Sequence, residues 1–260
     1  MVKRLLVLVL VLSLAGSASA DLRGYWKLDG NGDDSSGYGN DGNVSANVAP
    51  TADRFGNPNG AMYFTDGLGN INVGNDASLN LTGAMSILGW AYLDTNSSVY
   101  DRRNSRILGK MDGGGARAWS AGIEHRNNTA VHNRGNFQIS SDGSDVISCE
   151  DDATIPLDEW FHYAGVYTPG TSMELYINGD LAMNVTTGVP ASQYSANGWD
   201  VLIGNRPAAS DCGWYGALDE VRIYSEALTE TQIEAIMAIP EPATMLMLGL
   251  GGLALIRRKR

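Results

Sequence analysis

The chain has 260 residues, of which 29 are acidic and 18 basic, and its formal net charge at pH 7 is −11. A protein this acidic repels the phosphate backbone of nucleic acids, so we expect no nucleic-acid partner. Its many carboxylates supply the oxygen ligands that hard cations such as calcium prefer.

The first twenty residues have the features of an export signal. Lys3 and Arg4 precede an apolar run over residues 5–14, and a small-residue sequence ends at Ala20. We therefore predict that signal peptidase cleaves after Ala20 and that the mature chain begins at Asp21. A retained membrane anchor is the alternative, but the apolar run is shorter than the ~20 residues that a spanning helix needs.

Short segments that alternate apolar and polar residues follow, as in half-buried strands. The first is LRGYWKL from Leu22, and similar segments begin at residues 61, 70, 86, 106, 119, 136, 160, 172, 180, 201 and 217. Gly, Asn and Asp residues separate them. The sequence therefore predicts an all-β protein built as an antiparallel sandwich or barrel.

Two sequence patterns near the end of this region predict a hairpin and a helix. Asn178-Gly179 lies between two alternating segments and predicts a hairpin, since both central positions of a type I′ turn need positive φ. Thr229 and Gln232 form a capping box, which predicts a short C-terminal helix with apolar residues 233, 236 and 237 on one face.

The last 22 residues, 239–260, look like a membrane-sorting segment. Pro240, Glu241 and Pro242 precede an apolar stretch over residues 243–256, which predicts a short transmembrane helix, and four basic residues end the chain. The basic cluster would hold the extreme C-terminus in the cytoplasm, so the body of the protein lies outside.

This arrangement resembles the PEP-CTERM sorting signal of Gram-negative bacteria, which membrane exosortases recognise and remove. An ordinary tail anchor is the alternative. The expected location is the cell envelope, outer surface or extracellular space of a Gram-negative bacterium, with transient anchoring in the cytoplasmic membrane.

Five segments of the mature chain, in this order, resemble the LamG-like jelly-roll domain of the concanavalin A-like lectin and glucanase superfamily. They are YWKLDGNGDDSSGYGNDG from Tyr25, GNPNGAMYFTDGLGNINVG from Gly56, MSILGWAYLD from Met85, EWFHYAGVYTPGTSMELYINGDL from Glu159 and GALDEVRIYSEALTETQIEAI from Gly216. The resemblance implies that residues 21–238 form one jelly-roll sandwich of two curved antiparallel sheets. It also implies that the first and last strands are adjacent.

The loop after the first predicted strand, DGNGDDSSGYGNDGN, is rich in oxygen ligands. Many members of the superfamily hold calcium between this region and a carboxylate on the last long strand, and Asp34 and Asp219 match those positions. The resemblance therefore implies a structural calcium ion at Asp34 and Asp219, with Asp29 and Asp33 as further candidate ligands. The alternative is that Asp34 forms an Asx-turn and Asp219 pairs with an arginine such as Arg222.

Two cysteines, Cys149 and Cys212, belong to the exported part of the chain. An even pair in an oxidising compartment favours a disulfide over two free thiols, and neither has the CxxC spacing of a redox or zinc site. We therefore predict a disulfide between them.

The residues that glycan hydrolysis requires do not form a recognisable pattern. The enzymes of the superfamily carry paired carboxylates on one strand as Glu-x-Asp-x-x-Glu or Glu-x-Asp-x-Glu, and the sequence contains neither. His162 matches a family position that is structural, and the sequence has no Gly-x-Ser-x-Gly elbow. We predict a protein that is not an enzyme, with a divergent glycan-active hydrolase as an alternative.

Aromatic residues near polar groups favour sugar binding, because an aromatic ring stacks on the apolar face of a pyranose. Trp199, Trp214 and Tyr215 lie in two such loops and are the predicted glycan-binding residues, although the tryptophans could instead pack beneath the loops. The sequence thus predicts an exported domain that binds extracellular polysaccharide or a surface partner. A structural matrix component is the third possibility.

Overall fold

The computed structural model describes residues 20–95, 104–125, 133–207 and 212–239. The predicted sorting motif Pro240, Glu241 and Pro242, the predicted transmembrane segment 243–256 and the signal sequence before Ala20 lie outside these residues. Within the described part of the chain, no helix is long and apolar enough to cross a membrane.

The described chain forms fifteen strands, a 3-10 turn at Ala77–Leu79 and one α-helix. The first strands are β1 Leu22–Trp26, β2 Asn43–Val44, β3 Val48–Thr51, β4 Ala61–Phe64, β5 Ile71–Asn72, β6 Met85–Leu93, β7 Asn104–Met111 and β8 Arg117–His125. The remaining elements are β9 Asn133–Ser140, β10 Val146–Glu150, β11 Trp160–Thr168, β12 Ser172–Ile177, β13 Asp180–Val185, β14 Val201–Ile203, β15 Gly216–Tyr224 and helix α1 Glu230–Met237.

The strands form two antiparallel sheets. One has eight strands in the order β13-β12-β11-β6-β15-β4-β3, with β1 also paired to β15. The other has seven in the order β10-β9-β8-β7-β14-β5-β2. The predicted all-β sandwich of two antiparallel sheets with a short C-terminal helix is therefore confirmed.

The beginning and the end of the domain meet, as the resemblance implied. β1 pairs antiparallel with β15, so that Trp26 lies opposite Val221 and Leu22 opposite Tyr224. β4 pairs with the first residues of β15, and β6 runs along the other side of β15. β15 is therefore a central strand with β1 and β4 sharing one of its edges.

The hydrophobic core lies between the two sheets. Trp26, Phe64, Trp119, Phe137 and Tyr163 are among its completely buried side chains. Most of the long strands send alternate residues into this core, as the period of two requires. The residues between them face outward, and these outward residues form the candidate sites.

Helix α1 covers part of the outer face of the eight-stranded sheet. Thr229 and Gln232 form the predicted capping box, and Ile233 is buried against Leu88 and Tyr176. The predicted helix is confirmed. The predicted hairpin is also confirmed, since both turn residues between β12 and β13 have positive φ, 54° at Asn178 and 89° at Gly179.

The predicted disulfide is wrong. Cys149 and Cys212 are both buried and do not form a disulfide. Cys149 lies on β10, whereas the Cys212 carbonyl accepts from the Arg106 N–H of β7, three strands away. Three strand spacings are ~14 Å, and a disulfide needs Cα atoms within ~7 Å. The Cys149 thiol instead contacts the Met173 carbonyl oxygen at 3.3 Å.

Candidate functional site

The predicted calcium loop is held by hydrogen bonds to Asp34. Its carboxylate accepts from the backbone N–H groups of Tyr25 at 2.9 Å, Ser36 at 2.8 Å and Asn40 at 3.0 Å, and from the Ser36 hydroxyl at 2.7 Å. Burial opposes ionisation of Asp34, but these donors outweigh it and lower the pKa. Asp34 therefore forms the Asx-turn that the sequence allowed as the alternative.

Asp219 is hydrogen-bonded to a different part of the chain from Asp34. It is completely buried on β15, and Arg54 Nη1 donates to its Oδ2 at 2.7 Å. Arg222, the arginine named from the sequence, pairs instead with Glu220. Arg54 is the partner because the loop between β3 and β4 folds over this part of the sheet.

Asp34 and Asp219 have separate partners in the structure. Asp34 pairs with Trp26 of β1 on the side away from β15, so two strand spacings, ~9.6 Å, separate its backbone from that of β15. The Asp34 carboxylate accepts from Tyr25, Ser36 and Asn40, whereas the Asp219 carboxylate accepts from Arg54. Asp29 and Asp33 are exposed, and no group of three or more His, Cys, Asp or Glu side chains in the described ranges could hold a metal ion. Calcium binding stays a prediction.

The predicted glycan-binding residues lie in different surroundings. Trp214 is 0% exposed and its indole N–H donates to the Tyr92 carbonyl oxygen at 3.2 Å, so it is a core residue and does not face a ligand. Trp199 is half-buried and packs on Tyr194, with ring centroids 5.4 Å apart. Tyr215 is also half-buried, but it packs edge-on against Tyr63.

Tyr215 belongs to a larger group of rings on the outer face of the eight-stranded sheet. In cross-strand register, Tyr63 of β4, Ala217 of β15, Tyr92 of β6 and Trp160 of β11 form one continuous row. We name Tyr63, Trp90, Tyr92, Trp160 and Tyr215 the aromatic face. All five side chains are partly exposed. Ala217, between Tyr63 and Tyr92 in this row, is buried.

Carboxylates lie beside the tyrosines of the aromatic face. The Tyr63 hydroxyl donates to Asp94 at 2.6 Å, and Tyr92 Oη lies 3.5 Å from Asp158. Burial, followed by the hydrogen bond to Asp94, raises the pKa of Tyr63, so the phenol stays protonated at neutral pH. The face therefore combines flat apolar rings with hydrogen-bonding groups at its margin.

A cleft of about 630 Å³ continues the aromatic face toward helix α1. Arg54, Phe55, Trp90 and Trp160 line one part of it, and residues 237–239 at the end of α1 line the other. Phe55 is 53% exposed. The lining is mostly apolar side chains, with the Arg54 guanidinium as the charged group.

A turn after β3 positions the cleft residues Arg54 and Phe55. The Asp53 carboxylate accepts from the backbone N–H groups of Phe55 and Asn57, both at 2.8 Å, which fixes the turn. The Arg54 guanidinium then stacks 4.5 Å from the Phe55 ring centroid and 4.6 Å from that of Trp90. Asp219 anchors the other side of the same guanidinium, so the rings and the charge are held in one arrangement.

His162 lies beside Trp90 on the neighbouring strand β11. The two residues are opposite each other in register, their rings meet edge-on with centroids 5.3 Å apart, and His162 is 1% exposed. Burial, together with the charges of Arg222 and Arg54, lowers the pKa of His162 to about 3. The imidazole is therefore neutral at physiological pH, and its buried position beside Trp90 agrees with the structural role that the resemblance implied.

A family model matches residues 65–234, more than half of the chain, and its description is the concanavalin A-like lectin/glucanases superfamily. The chain belongs to this superfamily. A second family model, the PEP-CTERM protein-sorting motif, matches residues 238–260 and indicates export and sorting to the cell envelope. No curated protein matches the sequence.

Solved structures with the same concanavalin A-like fold include domain 4 of AbnA, a GH43 extracellular arabinanase from Geobacillus stearothermophilus, in complex with arabinotriose. It has a TM-score of 0.63 and 19% identity, over 84% of this chain and 98% of that one. The binding domain of Paraclostridial Mosquitocidal Protein 1 has a TM-score of 0.64 and 16% identity, over 83% of this chain and 51% of that one.

The botulinum neurotoxin serotype G binding domain is a further similar structure, with a TM-score of 0.62 and 18% identity over 83% of this chain and 50% of that one. This chain thus spans about half the length of the two toxin domains. At these identities the likeness establishes the fold.

Sequence reasoning missed most of the aromatic face. Trp90 and Trp160 lie in the predicted strands SILGWAYL and WFHYAGVY, at positions out of phase with the core residues. That phase was a usable signal, because several large apolar side chains on the solvent side of neighbouring strands can form a contiguous patch, and such patches mark binding sites. The neighbours of each ring depend on strand register, which the sequence did not supply.

Proposed function

We propose that this chain is an exported, non-catalytic binding domain that holds an extracellular polysaccharide on its aromatic face. The row of rings from Tyr63 to Trp160 supports this function most directly. Partly exposed rings side by side give successive sugar residues apolar surfaces on which to stack. The carboxylates of Asp94 and Asp158 at the margin accept hydrogen bonds from sugar hydroxyl groups.

The cleft beside the aromatic face extends the same platform. Trp90 belongs to both, and Arg54 is held over its ring, so a sugar hydroxyl near Trp90 meets a guanidinium donor. The chemistry of the face, rings with hydrogen-bonding groups, favours a neutral or weakly charged polysaccharide. The arabinotriose complex of a similar fold is consistent with such a ligand.

Signal peptidase and an exosortase are the expected processing partners. The PEP-CTERM match supports this route. We infer that the domain is delivered to the envelope of a Gram-negative bacterium, where residues 243–256 anchor it transiently before they are removed. Helix α1 ends at Met237, directly before the sorting segment, so the aromatic face lies near the point at which the chain would join the membrane.

Affinity electrophoresis and calorimetry with a panel of neutral polysaccharides test the binding site. We expect Trp160→Ala and Tyr92→Ala to weaken binding by about threefold to tenfold each, since stacking on one ring contributes ~0.5–1.5 kcal/mol. Tyr38→Ala is the matched control, because Tyr38 is an aromatic residue 45% exposed on the glycine-rich loop.

Three results would contradict the proposed function. One is equal loss of binding in Tyr38→Ala and Trp160→Ala. Another is release of reducing sugars that disappears when a single carboxylate is replaced, which would favour the divergent hydrolase. The third is self-association at the cell surface without polysaccharide binding, which would favour a structural matrix component.

A further inference from the structure

The described part of the chain ends at the cleft beside the aromatic face. Residues 237–239 line one part of this cleft, and Ile239 is 50% exposed. The end of helix α1 holds these residues in place, because the Ala238 N–H donates to the Glu234 carbonyl oxygen at 3.0 Å and the Ile239 N–H to that of Ile236 at 3.2 Å. The next residues of the chain, 240–242, therefore begin at the cleft.

The facing part of the cleft consists of three aromatic rings and one cation. Phe55, Trp90 and Trp160 supply the rings, and Arg54 supplies the charge. The Arg54 guanidinium lies between the Phe55 and Trp90 rings, with Asp219 on its other side. A ligand that combines apolar rings with a carboxylate matches this surface, because a guanidinium stacks on aromatic rings and pairs with carboxylates.

The sequence that follows Ile239 has this composition. Pro240 and Pro242 carry apolar rings, and Glu241 between them carries a carboxylate. Each proline has φ fixed near about −65°, and the residue before a proline is biased toward extended backbone. A Pro-Glu-Pro segment therefore favours the polyproline II conformation, which aromatic-lined grooves bind with little loss of conformational entropy.

We propose that the cleft holds the Pro-Glu-Pro motif of its own chain, with the proline rings against the aromatic side chains and Glu241 beside Arg54. The reach is sufficient, since three extended residues span ~10 Å and Ile239 already lines the cleft. The covalent link through Ile239 gives the motif a high effective concentration, so modest contacts are enough to hold it. Arg54 also gives Glu241 a partner of opposite charge on a chain with a net charge of −11.

Docking of the motif links sorting to the folded domain. A processing enzyme that binds the motif first has to withdraw it from the cleft, so the contacts in the cleft set how readily the motif is recognised. Trp90 belongs to both the cleft and the aromatic face, so the motif and a polysaccharide exclude each other at this ring. That last consequence rests on the proposed function, whereas docking of the motif does not.

A double-mutant cycle in the full chain, held in detergent micelles, tests the contact. Phe55→Ala is made in the parent and in a background that carries Pro240→Ala and Pro242→Ala, and urea unfolding gives the equilibrium constant for unfolding of each protein. Phe55 is 53% exposed, so the variants should fold. We expect Phe55→Ala to raise this constant by at least about threefold more in the parent than in the background without the prolines, because residues in contact are coupled.

Tyr38→Ala is the matched control for the cycle, because Tyr38 is an exposed aromatic residue on the glycine-rich loop. Its effect should be the same in both backgrounds.

Acrylamide quenching of tryptophan fluorescence measures the cover over the cleft independently. The sequence has six tryptophans, and Trp26, Trp119 and Trp214 are 0% exposed. In a Trp199→Phe background the accessible fluorescence therefore comes from Trp90 and Trp160. We expect quenching to increase when Pro240 and Pro242 are both replaced by alanine, and also in Glu241→Gln. Glu234→Gln, at an exposed position on helix α1, is the charge control and should leave quenching unchanged.

Equal effects of Phe55→Ala in the two backgrounds would overturn the proposal, as would equal quenching in the parent and in the variant without the prolines. A coupling that grows with protein concentration would place the motif in the cleft of a second copy and would overturn docking within one chain. Neither measurement contains a polysaccharide, so failure of this proposal and failure of the proposed function give different results.

Discussion

Arg54 and Asp219 form a buried ion pair on the outer face of the eight-stranded sheet, with Arg54 Nη1 2.7 Å from Asp219 Oδ2. The pair joins the loop after β3 to the central strand β15. It also places the Arg54 guanidinium against Trp90, at the boundary between the aromatic face and the cleft.

Removing one member of this pair should destabilise the domain. We expect Arg54→Gln to lower the free energy of unfolding by about 3–5 kcal/mol, because Asp219 would be left as a buried charge. The double variant with Asp219→Asn should lose less than the sum of the two single variants, as shown by urea unfolding of all four proteins. Strict additivity would mean that the pair is not coupled.

Trp214→Ala should act on stability and not selectively on ligand binding. Trp214 is fully buried, so its truncation leaves a large cavity and costs about 3–5 kcal/mol. Trp199→Ala, at a half-buried position, should cost less than half as much. Thermal or urea unfolding measures both. A stable Trp214→Ala protein that had lost only polysaccharide binding would restore the role predicted from the sequence.

His162 should make stability depend on pH. Its pKa is about 3 in the folded protein against 6.5 ordinarily, so the unfolded chain binds a proton between these values that the folded protein does not. Stability is therefore unaffected above about pH 6.5 and falls as the pH decreases toward 3, by at most ~1.4 kcal/mol per pH unit.

The matched variant for this effect is His162→Leu, which has a similar volume and no titratable group. The difference in unfolding free energy between parent and variant, measured by urea titration from pH 7.5 to 4, isolates the contribution of His162 from those of the carboxylates. Parallel pH profiles for the two proteins would show that His162 does not remain neutral in the folded state.

Asp34 should stabilise the glycine-rich loop through its hydrogen bonds. Asp34→Ala is expected to lower the free energy of unfolding by about 1–3 kcal/mol in calcium-free buffer, because three backbone N–H groups lose their acceptor. Asp33→Ala, at an exposed position, should change it by less than about 0.5 kcal/mol.

The same proteins test the predicted calcium ion. A calcium-dependent rise in Tm that Asp34→Ala abolishes would support the ion predicted from the sequence, and a Tm of the parent that is unchanged by EDTA or added calcium would contradict it.

Several features of this protein could be predicted from patterns in short stretches of its sequence. Period-two alternation identified most of the strands, Asn178-Gly179 the hairpin, and the Thr229 and Gln232 box the helix. These features depend on residues close together in the chain, where backbone geometry and capping act directly. The family resemblance added the adjacency of the first and last strands.

Contacts between distant residues were decided by the tertiary structure. The two cysteines lie on strands too far apart for a disulfide, and Trp214 is in the core although its loop is polar. The partner of Asp219 is Arg54, 165 positions earlier in the chain, and not the neighbouring Arg222. Such pairs of residues cannot be predicted from the periodic pattern of the sequence, because they depend on how loops fold over the sheets.

The sequence alone thus determined the sandwich, its helix and its PEP-CTERM sorting motif, because strand alternation, capping and sorting motifs each depend on short stretches of residues. Only the tertiary structure decided which side chains share a surface. The aromatic face arises from cross-strand register, which brings side chains from four strands into one row, and register is a property of the assembled sheets.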